Sequence, residues 1–197
     1  MVISLGVIVL AAWVIYLFVP HDEHQDPVKP VSYRVELDSA RRAAPYPVLA
    51  PHGLSDDWRP TSVTYEPEGQ QGAAWHLGFM APGDEYAAVE QSDQSRPAKF
   101  IEDVTHKASK TAKTDTFGGE KWTRYEGEKY DALVLEDPEN KVTTVVTGTA
   151  SFARLGELAD SLTSGKAAEE AASKAADEAA RKEADKAAEG TDESGKG

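Results

Sequence analysis

The sequence contains no cysteine, which removes disulfides, thiolate metal sites, a cysteine nucleophile and lipid attachment through an N-terminal cysteine. It leaves the redox compartment open, because a disulfide-free domain folds on either side of a membrane. Positive charge is scarce as well: Lys and Arg total 21 against 34 Asp and Glu, a formal charge of −13. That excess repels phosphate backbones, so nucleic acid is not an expected partner. Asparagine occurs once, at Asn140, beside abundant alanine, a skew that accompanies high-GC coding. Familiar catalytic signatures are missing too. No Ser has a Lys three residues on, and there is no Gly-x-Ser-x-Gly, no His-Glu-x-x-His and no phosphate-cradling glycine loop. No cofactor is expected, and a binding protein is expected before an enzyme.

What is present begins with a long apolar run. Residues 2–19 read VISLGVIVLAAWVIYLFV, without a charge. As a helix these residues rise about 27 Å, close to the roughly 30 Å hydrocarbon core of a bilayer. Trp13, Tyr16 and Phe18 gather at the end where amphipathic rings favour the headgroup layer, and Pro20 ends the helix. A cleaved signal peptide needs a basic start, a shorter apolar core and small residues at the cleavage site. Here nothing basic precedes the run, and Tyr16, Leu17 and Phe18 stand where small residues belong. The reading is an uncleaved single-pass anchor in the lipid bilayer over 1–19. Orientation rests on little: Asp22, Glu23 and Asp26 precede Lys29, the first lysine. Those acids favour a cytoplasmic N-terminus and an extracytoplasmic remainder. The lack of a basic residue ahead of the run also leads us to expect a true start upstream of Met1.

Residues 20–31 carry three prolines and several charges and read as a semi-extended stalk. A globular domain is expected over 32–163, and at 197 residues the chain has room for one ordinary domain with accessories. Tyr33, Val35 and Leu37 alternate, suggesting a first strand, with Asp38 capping a short helix through Ala44. Strand patterns follow over 61–65, 73–80 and 85–91, with Pro82-Gly83 suiting a type II turn. Arg96-Pro97 opens a helix whose stripe is Phe100, Ile101, Val104 and Ala108, with Lys107 and Lys110 near its negative end. Gly118-Gly119 breaks the chain. Strands are expected over 121–126, 130–135 and 141–147, then a final helix begun by Thr149 or Ser151 with Phe152, Leu155, Leu158, Ala159 and Leu162 facing inward. Short loops make such strands antiparallel neighbours. The fold class is therefore α+β: an antiparallel sheet of about six or seven strands, with two or more amphipathic helices covering a face.

From 164 to 197 the chain is low in complexity and rich in Ala, Glu and Lys. Alanine pairs recur every four residues, at 167/168, 171/172, 175/176 and 179/180. A period of four drifts about 40° per step on a 3.6-residue helix, so no durable seam forms. Oriented pairs such as Glu170 with Lys174 and Asp177 with Arg181 support a solvated helix that frays into disorder.

Two groups of residues invite a chemical reading. His21, Asp22, Glu23, His24 and Asp26 are the densest cluster of metal-ligand types, yet a stalk supplies no second shell to fix them, so they read as a solvated collar and no metal is expected. His76, between Trp75 and Leu77, points to the opposite face of its strand from them and is the one candidate general base, without an assignable carboxylate partner. Trp58, Tyr65, Trp75, Tyr86, Trp122, Tyr125 and Tyr130 are dense for one small sheet. Rings outside a cell can stack on sugars or clasp a peptide, whereas Trp75, Leu77 and Phe79 on one side of a strand look like core. Trp58, in a loop after Asp56-Asp57, is the ring expected at the surface. The speculative ligand-binding set is Trp58, Trp75, His76 and Trp122.

The stretches VISLGVIVLAAWVIYLFVP, PVSYRVELDSARRAAPYPVLAP, GLSDDWRPTSVTY, AAWHLGFMAP and VTTVVTGTAS resemble an actinobacterial family, the domain of unknown function 4245, over about residues 1–162. Trp-His-Leu-Gly-Phe and Val-Thr-Gly-Thr-Ala are its more specific segments. The resemblance implies a single-pass envelope protein of a high-GC Gram-positive bacterium and brings no activity, cofactor or catalytic residue. Members usually carry a short basic stretch before the apolar helix, and this chain has none. The function expected is a non-enzymatic extracytoplasmic module that binds an envelope protein or a glycan. Its alternatives are a small envelope hydrolase or transferase using His76, or a scaffold subunit of a membrane complex.

Overall fold

The computed structural model describes residues 31–165. The expected anchor over 1–19, nearly all of the stalk and nearly all of the tail lie outside the described residues. Among the described residues no helix is long and apolar enough to cross a membrane.

The first described element is a helix, α1, over Arg34–Ala43, where a strand was expected to come first. Tyr33, Leu37 and Ala40 also satisfy the helical spacing i, i+4, i+7, and burial follows that spacing. Leu37 and Ala40 are buried while Val35 is 74% exposed, the reverse of what alternation requires. Asp38 caps nothing; it stands exposed in mid-helix. Arg41 and Arg42 occupy the last turn, beside the negative end of the helix. Ala44 turns extended and Pro45 follows, as the proline pattern anticipated.

Seven strands form one antiparallel sheet: β2 (Arg59–Gly69), β3 (Gly72–Ala81), β4 (Glu85–Ser92), β5 (Ser109–Phe117), β6 (Glu120–Glu126), β7 (Asp131–Asp137) and β8 (Val142–Gly148). Their order is β2-β3-β4-β8-β7-β6-β5, while a two-stranded ribbon pairs β1 (Ala50–Pro51) with β9 (Leu162–Thr163). The number of strands agrees with expectation, but its composition differs. The segment expected first is helical, and β5, whose first residues fall in the helix expected after Pro97, is a strand. Its Ser-Lys-Thr-Ala-Lys-Thr-Asp-Thr-Phe lies at the sheet edge and is mostly exposed, so no apolar period marks it. The Pro82-Gly83 turn forms as expected: Asp84 N–H donates to the Ala81 carbonyl at 3.1 Å and Gly83 takes φ +90°.

The helix opened by Pro97, α2 (Pro97–Val104), is shorter than expected. Thr105 turns its hydroxyl back onto the Ile101 carbonyl at 2.7 Å. His106 and Lys107 then adopt φ of 54° and 72°, which ends the helix and starts β5. Lys107 and Lys110 therefore lie beyond it. The last helix, α3 (Phe152–Asp160), begins where expected, with Ser151 as N-cap accepting from Arg154 N–H at 3.5 Å. Leu162, expected on that helix, belongs to β9.

The helices divide between the two sheet faces: α1 and α3 share the first, as expected of two helices covering a face, and α2 takes the second. On the first face, Leu37 and Ala40 of α1 and Leu155, Leu158 and Ala159 of α3 pack with Trp58, Trp75, Leu77, Phe79 and Trp122. On the second, Phe100 and Ile101 of α2 pack on Tyr125, Ala132, Val134 and Val145. Topology explains the division. The chain makes two meanders, β2-β3-β4 and β5-β6-β7-β8, joined by an antiparallel β4–β8 pair. Between them α2 crosses the second face towards the far edge, so it covers the β5–β8 half. Among the described residues no helix lies over the same face of β2–β4.

Candidate functional site

The three tryptophans singled out in the sequence belong to the first core. Trp75 is 0% exposed, Trp122 2% and Trp58 4%, so Trp58 is not the surface ring expected. Each indole N–H is satisfied by protein: Trp75 donates to the Leu49 carbonyl, Trp122 to the Phe117 carbonyl and Trp58 to the Glu157 carboxylate, all at 3.2 Å. The 52–58 loop folds over the end of the core because Glu157 of α3 reaches across to hold Trp58. Phe79 meets Trp58 and Tyr33 edge-on, and the three rings wall a cavity of about 330 Å³. A second open hollow lies beside His106 and Lys107, and a third beside Asp93 and Asp137.

His76 stands apart from the tryptophans, on the uncovered half of the second face, and it has partners there. Its Nδ1 lies 2.7 Å from Glu90 Oε1, and its Nε2 lies 2.8 Å from Ser62 Oγ. Three strands build this arrangement. The Ala81↔Glu85 pair carries the β3–β4 ladder to His76↔Glu90, which puts the carboxylate directly across from the imidazole. On the other side Ser62 pairs Gly78 and Thr64 pairs His76, so Ser62 reaches His76 diagonally. The irregularity between Pro60 and Ser62 sets that offset.

Tyr86 stands on the same face of β4 and brings its hydroxyl to the same place as Ser62 Oγ, over Gly78. A Cβ placed on Gly78 would stand 2.5 Å from Ser62 Oγ and 3.0 Å from the Tyr86 hydroxyl. The two hydroxyls thus meet over backbone that only glycine leaves bare. Tyr86 continues into Tyr130 at 5.9 Å between ring centres, and Tyr130 into His106 at 4.8 Å.

The electrostatics follow from this geometry. Burial alone pulls the His76 pKa down, but the hydrogen bond and charge of Glu90 outweigh it, so the imidazole binds its proton above the ordinary 6.5. Tyr86 is pushed up to about 12, first by burial and then by the negative charge of Glu90 and by Tyr130. It stays a phenol at any physiological pH. The side chains of His76 and Glu90 remain 29% and 15% exposed, so the relay is open to solvent from one side. With Nδ1–H donating to Glu90, Nε2 is free to accept the Ser62 proton, the hydrogen-bond order of an activated hydroxyl.

Residues 1–162 match the family described as Protein of unknown function (DUF4245). The chain belongs to that family. No curated protein and no solved structure matches it. For this DUF4245 chain the sequence singled out His76, named Tyr86 only as one of many rings, and missed Glu90 and Ser62. Glu90 was within reach, since the Pro82-Gly83 turn fixes the register that places it opposite His76. Among the described residues no group of three or more His, Asp or Glu is arranged to hold a metal ion. The His21–Asp26 cluster lies outside the described residues.

Proposed function

We propose that this DUF4245 chain is a membrane-anchored module whose domain faces the outside of the cell and binds an envelope protein or a glycan. The observation that carries the binding role is the inequality of the sheet faces. One face is sealed by α1, α3 and the β1–β9 ribbon. Among the described residues no helix covers the β2–β4 half of the other, which bears preorganised polar groups in place of a core. The anchor rests on the uncharged run over 2–19, and the orientation on the acidic flank that follows it. Protease added to intact cells should remove a C-terminal epitope without permeabilisation. Loss of the epitope only after permeabilisation would reverse the orientation. Crosslinking in intact cells should also yield a stoichiometric adduct with the wild-type chain and much less with Glu90→Gln.

A second reading is favoured by one observation: His76 is held between a hydroxyl and a carboxylate. That arrangement supports a small envelope hydrolase or transferase in which His76 is the general base.

A further inference from the structure

We infer that Ser62 is a nucleophile, activated by His76 and directed at carboxylic esters, with Tyr86 donating to the oxygen that becomes charged. This rests on the second reading above and extends it from a base acting on water to a covalent intermediate. Four roles fall to residues that converge on one part of the sheet face, three of them already hydrogen-bonded. Ser62 Oγ is 2.8 Å from His76 Nε2, and His76 Nδ1 is 2.7 Å from Glu90, which fixes the ring and its tautomer. The Tyr86 hydroxyl stands beside Ser62 Oγ over Gly78, 3.0 Å and 2.5 Å from where a Cβ there would sit, so the phenol can donate to the oxygen that becomes charged. Bare backbone at Gly78 leaves the room in which these groups converge.

In the first step the Ser62 proton passes to His76 Nε2 as Oγ bonds the acyl carbon. The tetrahedral intermediate then collapses: the carbon–oxygen bond to the alcohol breaks, and His76 returns the proton to the leaving oxygen. Water next gives a proton to His76 and attacks the acyl carbon. The Ser62–acyl bond breaks and Ser62 regains its proton, so ester and water yield acid and alcohol. The relay lies on an open sheet face and lines none of the cavities described above. The ester it fits therefore carries a short acyl group, such as acetyl, displayed on a molecule larger than the site.

The test uses the full chain in detergent with p-nitrophenyl acetate and a fluorophosphonate probe, read by released p-nitrophenol and by intact mass with peptide mapping. A single adduct at Ser62 is expected, together with ester turnover. Both should vanish in Ser62→Ala, fall about a hundredfold or more in His76→Ala, and fall about a hundredfold in Tyr86→Phe. Thermal melting of each variant checks that it is folded. If turnover needs His76 but persists in Ser62→Ala with no adduct, the nucleophile is overturned while the general-base reading stands. If the folded wild-type chain gives neither turnover nor adduct, both fall, and the relay is a cross-strand hydrogen-bond network of the sheet.

Discussion

At the scale of single residues, the most informative position is Gly78, because it separates folding from the relay. The atoms that a new Cβ would strike are the ends of Ser62 and Tyr86, which can swing aside. Gly78→Ala should cost between about 1 and 3 kcal/mol in urea unfolding while displacing Ser62 from His76. Gly148 is different. Its Cβ would stand 2.0 Å from the Tyr86 backbone oxygen, and backbone in a β4–β8 ladder has nowhere to go. Gly148→Ala should destabilise by about 3 kcal/mol or more, measured the same way. His76 gives a pH signature whose sign is fixed. Its folded pKa is raised above the ordinary 6.5, so the stabilisation is fully present below about pH 6.5 and is lost as pH rises through the folded value. The gap in melting temperature between wild type and Glu90→Gln should therefore narrow as pH is raised from 5.5 to about 9. A gap that stays constant across that range would contradict the pairing.

At the scale of elements, legibility in the sequence tracked how much apolar contrast each segment carries. β3, β4, β7 and β8 face covered surface on at least one side, so their apolar period, set off by Pro82-Gly83 and Gly148, revealed them. β5 is an edge strand of threonines and lysines with no such contrast, and α1 satisfies strand and helix periods at once. Glu90 follows from the β3–β4 turn, but Ser62 does not. The β2–β3 ladder contains two irregularities, at Pro60/Ser62 and Glu66/Gly69, and no local signal counts them. The second core rests on one helix, α2, whose Phe100 is 1% exposed. Phe100→Ala should cost about 3–5 kcal/mol and loosen β6 to β8 in hydrogen exchange before β2 and β3.

At the scale of the whole molecule, the two sheet edges are protected. β2 carries Pro60 and Pro67, and β5 carries Lys110, Lys113 and an irregularity in its pairing. The domain should therefore sediment as a monomer, and a concentration-dependent dimer would contradict that reading of the edges. We therefore assign the proposed outside partner to the half of the second face that no described helix covers. The direct measurement places a photoreactive residue at Thr64, which pairs His76 on that face, and separately at Ser39, exposed on α1 across the sheet. Irradiation of intact cells should give a discrete adduct from position 64 and none from position 39. Adducts from position 39 alone, from both equally, or from neither would contradict the assignment of the working surface to the β2–β4 face.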